Sequence, residues 1–242
     1  MDIGHKYWTQ FGCLDHRSHS GKCFFLSTSV GTAMHVDMRS KGGVTFHEEL
    51  SEKKINSLSL HPNGYSLASA GLDGTVNVWD MRKFGDSRVV TKKAAPKPVA
   101  SYNGGRSVNS AFFSPSGQYM VSTTMSNKLD IFENAHLSVS TSKSSKNSNV
   151  MKPASSVNHD NQTGRWLSTL IAQWHPVADT FVVGCMKHPR QIEVMDQQGK
   201  ALHILSGEAL TAVASRCCFH QSTDQLVVVG GNSSGRVTIF RT

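Results

Sequence analysis

An all-β fold built from repeated strand–turn units is predicted for this 242-residue chain by three observations. Apolar and polar residues alternate with a period of two, Gly, Pro, Asp and Asn cut the alternating runs into short pieces, and the whole unit recurs along the chain. One unit reads Ile55-Asn56-Ser57-Leu58-Ser59-Leu60, a His61-Pro62-Asn63-Gly64 turn, Leu67-Ala68-Ser69-Ala70-Gly71, a Leu72-Asp73-Gly74-Thr75 turn, and Val76-Asn77-Val78-Trp79-Asp80. It returns as Val108–Phe113 before Ser114-Pro115-Ser116-Gly117, then Tyr119–Thr123 and Leu129–Phe132. It returns again as Ser168–Trp174 before His175-Pro176, with Thr180–Gly184 and Gln191–Met195, and last as Ala212–Phe219, Gln225–Gly230 and Arg236–Phe240. Helical periodicity is almost absent.

The copies set the expected boundaries. Residues 1–42 hold a partial unit, in which Lys22–Ser27 and Ala33–Asp37 look like the tail of a copy; full units follow at 43–82, 97–132, 165–198 and 202–242. The turn positions His61, Ser114, His175 and His220 recur at spacings of 53, 61 and 45 residues. Ser69, Asp73, Gly74, Thr75, Trp79 and Asp80 fall where the WD-repeat family places its serine, turn aspartate and Trp-Asp pair, and the chain resembles that family. The match departs where the family has Gly-His, here Leu50-Ser51 with His47 upstream, and where Phe132, Val194 and Phe240 replace the tryptophan. The resemblance implies a β-propeller of about four full blades and a partial N-terminal one. A seven-bladed ring needs roughly 300 residues, so the ring is expected to be incomplete here and the chain to be the C-terminal part of a longer protein or a product lacking its first blades.

The formal charge of +8 resides in two stretches. Residues 83–106 carry Lys83, Arg88, Lys92, Lys93, Lys97 and Arg106 against Asp86, and 136–165 carry Lys143, Lys146, Lys152 and Arg165 against Asp160. The first contains a basic loop over 83–97. The second contains a Ser/Asn/Lys-rich insertion over 136–160, too poor in apolar residues to fold and expected to be disordered. A basic balance suits a polyanionic partner, and solvated loops that serve solubility are the bland alternative. No apolar run approaches the ~18 residues of a membrane span, and the N-terminus has no apolar signal segment, so a soluble intracellular chain without membrane partners is expected. The five cysteines are odd in number and show no zinc spacing, which predicts reduced thiols.

No catalytic motif is present: there is no nucleophile elbow, H-E-x-x-H or phosphate-binding Gly-rich loop, so neither catalysis, metal nor cofactor is expected. His61, His175 and His220 read as turn residues. In WD-repeat blades the loops joining the second strand to the third, and the fourth to the next blade, open on one face. That face would collect Lys53, Arg106, Lys128, Arg165, Trp166, Lys187, His188, Arg190 and Arg236, opposed by Glu48, Glu49, Glu52, Asp73, Asp160 and Glu208. Cations around an aromatic ring are what phosphate-backbone binding needs, and a protein-binding face is the alternative.

A closer resemblance bears on that choice. Gly164-Arg165-Trp166-Leu167-Ser168-Thr169-Leu170-Ile171-Ala172-Gln173-Trp174-His175-Pro176, Phe181–Gly184, Arg190–Val194 and Gly230–Val237 resemble the WD repeat-containing protein 76 group, which is similar to the small, DNA-contacting subunit of the UV-damage DNA-binding complex. The resemblance implies a nuclear protein that binds double-stranded DNA, with a preference for damaged or modified duplex. Gly164, Arg165 and Trp166 match the hairpin wedge of that subunit but keep only one ring and gain a charge; a rim residue packed under its own loop is the bland reading of Trp166. Trp79-Asp80-Met81-Arg82 and Val36-Asp37-Met38-Arg39 resemble the box by which WD-repeat substrate receptors dock on a cullin-RING ligase adaptor. Asp80, Arg82, Asp37 and Arg39 would then be docking residues, unless each arginine is satisfied within its own blade. Histones or other chromatin proteins are further implied partners. The rival function is a protein–protein scaffold without direct DNA binding.

Overall fold

The computed structural model describes residues 8–17, 21–85, 96–137, 149–164, 166–221 and 225–241. Among them lie five antiparallel sheets. The first holds β1 (Thr9–Leu14), β2 (Cys23–Thr28), β3 (Thr32–Asp37) and β4 (Val44–Glu49) in sequence order. The second holds β5 (Ile55–Leu60), β6 (Ser66–Gly71), β7 (Thr75–Asp80) and β8 (Ala100–Asn103). The third runs through β9 (Val108–Phe113), β10 (Tyr119–Thr124), β11 (Lys128–Glu133) and β12 (Ser155–Asn158). The fourth holds β13 (Gln173–Trp174), β14 (Thr180–Cys185), β15 (Gln191–Asp196) and β16 (Ala201–Ser206). The fifth holds β17 (Arg216–Phe219), β18 (Val227–Gly231) and β19 (Val237–Arg241). One short 3-10 turn, Met81–Lys83, follows β7.

The chain divides into two compact units, residues 1–111 with 136–151 and residues 112–135 with 152–242, the division falling inside β9. In the first unit, Phe25, Ala33, Leu50, Ile55, Leu58, Leu60, Leu67, Trp79 and Phe84 form one buried cluster that joins two sheets. In the second, Val182, Ile192, Val194, Leu205, Leu210, Ala214, Cys217, Phe219 and Val228 do the same for two others. Each sheet is too thin to bury its own apolar faces, so stacking on a neighbour supplies the core.

The repeat positions read from the sequence act together. Trp79 Nε1 donates to Ser69 Oγ at 2.9 Å inside the first-unit core. The Asp73 carboxylate accepts from Thr75 N and Thr75 Oγ1, both at 2.9 Å, and from Ser51 Oγ at 2.9 Å, closing the β6–β7 turn and tying it to the loop before β5. At the turns, His61 Nδ1 accepts from Asn63 N at 2.9 Å, and His175 Nδ1 from the amides of Val177 and Ala178 at 3.1 Å each. An imidazole lone pair thus takes up the free amides of a tight turn. Ser69→Ala would strand the buried indole N–H. Chemical denaturation is expected to show a loss of about 1–3 kcal/mol, larger than for a serine on the exposed surface.

The sequence units and the sheets are one strand out of phase. Unit 43–82 contains β4 to β7, yet β4 bonds to β3 of the preceding sheet, and β8, which opens unit 97–132, bonds to β7. Repetition in sequence marks the strand order; hydrogen bonding decides which four strands make a sheet. Two expectations change accordingly. Strands β1 to β4 form a complete four-stranded sheet where only part of a unit was legible. The stretch 136–160, expected to be disordered, contains β12, an edge strand paired with β11 and held by Ser156 Oγ on Asp130 Oδ1 at 2.6 Å. β12 carries a single apolar residue, Val157, so its composition resembles a loop. The Ser/Lys-rich residues 138–148, and residues 86–95 of the basic loop, lie outside the described residues.

Candidate nucleic-acid interface

In the second unit, the turns after β10, β14 and β18 and the loops after β12 and β16 leave from the same end of their sheets, because successive strands reverse direction. Four of these segments, all but the turn after β14, are tied to one another by hydrogen bonds. Asn161 Nδ2 in the loop after β12 donates to the carbonyls of Thr124 and Lys128, at 2.9 and 3.0 Å, at the β10–β11 turn. The Arg216 guanidinium donates to the Thr169 carbonyl, and Ser168 Oγ meets Ser215 Oγ at 3.2 Å, joining the loops after β12 and β16. Arg236 Nη1 donates to Thr211 Oγ1 at 3.1 Å, bringing in the β18–β19 turn.

On this cross-tied surface the sequence-derived residues take distinct positions. Gly164 stands at φ +67°, a left-handed conformation that glycine adopts without strain, with open space where a side chain would be. Trp166 follows at 92% exposure, far more than a large apolar ring normally shows, and is not packed under its own loop. The loop that carries it is anchored at both ends by fully buried residues, Asn161 and Leu170. Arg165 lies outside the described residues. Lys128 is exposed as the first residue of β11, His188 is exposed in the β14–β15 turn, and Arg236 is exposed in the β18–β19 turn. Arg190 folds back, its Nη1 donating to the Met186 carbonyl at 2.6 Å, so it closes its own turn.

Lys187 is 63% exposed in the same turn, and its ammonium caps the buried Glu193 from the solvent side. Its Nζ lies 3.2 Å from Glu193 Oε1, which also accepts from Gln191 Nε2 at 2.6 Å. Burial pushes the Glu193 carboxyl up, but the Gln191 hydrogen bond and the Lys187 ammonium are among the contacts that outweigh it and hold the group below its usual value. The same pairing raises Lys187. Burial pulls the nearby His159 down and pushes the Cys185 thiol up. Sequence reading missed this polar cluster, because its members carry no local metal or catalytic spacing and meet only through strand register.

In the first unit, Lys53 and Arg106 are exposed on the loops before β5 and β9. At the other end of these sheets, Arg82 forks onto its neighbour Asp80, with Nε to Oδ1 at 2.8 Å and Nη2 to Oδ2 at 2.9 Å, and its guanidinium carbon sits 4.1 Å from the Tyr65 ring centroid. Arg39 forks onto Asp37 with two bonds of 2.9 Å. The two side chains remain 66% and 54% exposed. Arg17 and Asp15 make the same fork, with Arg17 Nη1 also donating to the Gly64 carbonyl at 2.8 Å, an Asp-x-Arg pair the sequence reading did not single out. The signal was there in the repeated spacing of two residues.

The family pattern described as WD domain, G-beta repeat matches residues 44–80 and 96–133, which run from β4 through β7 and from before β8 through β11. This is a WD-repeat chain. Its curated relatives include DNA damage-binding protein CMR1 of Chaetomium globosum, 30% identical over 235 residues, covering 94% of this chain and 43% of the relative. WD repeat-containing protein 76 of Mus musculus is 34% identical over 212 residues, covering 85% of this chain and 30% of the relative. The WD-repeat chain therefore spans less than half the length of these relatives. Among solved structures, the β-propeller domain of Myceliophteria thermophila Cps50 (Swd1) superposes with a TM-score of 0.63 at 13% identity, covering 93% of this chain and 63% of that one. At that identity the likeness speaks for the fold alone, a WD-repeat β-propeller.

Proposed function

We propose that this WD-repeat chain is a nuclear DNA-binding module that engages damaged or modified duplex, and that it serves as a scaffold rather than an enzyme. The observation that carries the reading is Trp166: a bare indole on a loop with buried anchors, among loop cations at one end of the second unit. Cations position the phosphate backbone, and a protruding ring can stack on a base or wedge into a step. A lesion lowers the cost of unstacking, so a wedge on a basic platform favours it without base-specific hydrogen bonds. Relatives named DNA damage-binding protein support the same reading.

The test is duplex binding across salt concentration. The log of the affinity should fall linearly with log salt, and Lys128→Ala combined with Arg236→Ala should make that slope shallower by about 2. Binding that is absent at moderate salt, or a slope untouched by the double change, would favour a scaffold for acidic protein partners instead.

A docking role on a cullin-RING ligase adaptor belongs to the same proposal and concerns the opposite end of the first unit's sheets. The forks at Asp80/Arg82 and Asp37/Arg39 leave more than half of each arginine side chain exposed, beside Met38 at 68% exposure. A guanidinium already oriented by its own aspartate loses little freedom when it meets a partner's carbonyls or carboxylates.

A further inference from the structure

Beneath the Lys187–Arg190 turn, three side chains bring nitrogen, sulfur and oxygen donors to one buried point. His159 opens the loop after β12, Cys185 ends β14, and Glu193 stands in β15. Cys185 pairs across the ladder with Gln191, and Glu193 with Val183, so these side chains leave the same face of the β14–β15 pair. The donor atoms of His159, Cys185 and Glu193 all lie within 4.8 Å of one another, and all three residues are buried.

The hydrogen bonds settle which atom of His159 faces inward. Asn161 spends its amide hydrogens on the Thr124 and Lys128 carbonyls, which turns its Oδ1 to His159 Nδ1 at 2.7 Å. An amide oxygen only accepts, so Nδ1 carries the proton and Nε2 of the neutral ring presents a lone pair. That Nε2 is buried, has no hydrogen-bond partner, and faces Glu193 Oε2 at 3.9 Å. Two lone pairs aimed at each other in a buried site call for a cation between them. The surroundings match what metal ligands need. Asn161 orients the imidazole, Gln191 and Lys187 hold Glu193 Oε1 and leave Oε2 inward, and the Lys187 amide donates to Cys185 Sγ at 3.5 Å.

We propose that His159 Nε2, Cys185 Sγ and Glu193 Oε2 bind a zinc ion. Thiolate with imidazole and carboxylate suits zinc and disfavours magnesium or calcium, which take oxygen ligands. Three protein donors leave one tetrahedral position for water. The ion would clamp the β14–β15 turn to the loop that carries Trp166. The assignment stands apart from the DNA reading, because its test reads metal and not nucleic acid. The competing occupant is a proton, which would turn His159 and Glu193 into a direct ion pair.

Cobalt(II) titrated into the chelator-treated full chain is the direct probe. The expected result is one equivalent bound, with a thiolate-to-cobalt charge-transfer band that zinc(II) abolishes, and a melting temperature that rises with added zinc. Cys185→Ser and His159→Gln should remove the band, Glu193→Gln should weaken uptake by more than tenfold while keeping the shape of the site, and the exposed Cys218→Ser should change nothing. No band and no zinc-dependent melting shift in the wild-type chain would overturn the assignment, and so would a band that survives Cys185→Ser or disappears in Cys218→Ser. The wild-type measurement decides the matter even where a variant fails to fold.

Discussion

Trp166→Ala is expected to lower affinity for lesion-bearing duplex about tenfold, and to lower affinity for intact duplex much less. The difference follows from what each part of the surface does. Exposed cations such as Lys128 and Arg236 meet phosphates, which are the same on intact and damaged DNA, whereas an inserted ring gains most where a step is already poorly stacked. Because the indole is 92% exposed, its loss leaves no cavity, and the variant should keep the wild-type melting temperature. Trp166→Phe should retain much of the preference by keeping a stacking face. Equal affinities of wild type and Trp166→Ala for the lesion-bearing duplex, measured by titration at one salt concentration, would sink the wedge and leave only a basic platform.

A large loss of stability is expected for Gly184→Ala. Gly184 lies in β14 opposite Ile192, and a methyl group there would stand 1.7 Å from the Ala214 carbonyl oxygen and 3.4 Å from Leu170 Cδ2. The obstacle is backbone, so no side chain can swing aside. Ala214 is itself buried in the apolar cluster of the second unit, and its carbonyl accepts from Cys217 Sγ at 3.4 Å. Strand and loop must separate to admit one carbon, at a cost of about 3 kcal/mol or more. Denaturant titration should show a lower midpoint at unchanged slope. A loss under about 1 kcal/mol would mean that the loop after β16 yields, and with it the support of Thr211 for Arg236.

Much of the architecture was legible because a WD repeat writes its contacts locally. The Ser69, Asp73, Thr75 and Trp79 hydrogen bonds join residues of one repeat, so their spacing was enough to find them. β12 was not legible: with Ser, Ser and Asn around one valine, it is a strand only because β11 offers it an edge. Of the candidate interface, the loop positions followed from strand counting, but the states of the side chains did not. Nothing in the spacing of Lys187 or Arg190 announced that one would pair with the buried Glu193 and the other turn back to the Met186 carbonyl.

The sequence alone was enough for the all-β class, the order of strands and turns, the positions of the repeat residues, and for marking Gly164, Arg165 and Trp166 as a place of interest. All depend on residues within one repeat, where a period of two and the turn residues dictate the outcome. The tertiary structure alone decided which strand completes which sheet, and that His159, Cys185 and Glu193 meet in one buried cluster. Those outcomes depend on hydrogen-bond pairing and register between segments far apart in the chain, which no local pattern encodes.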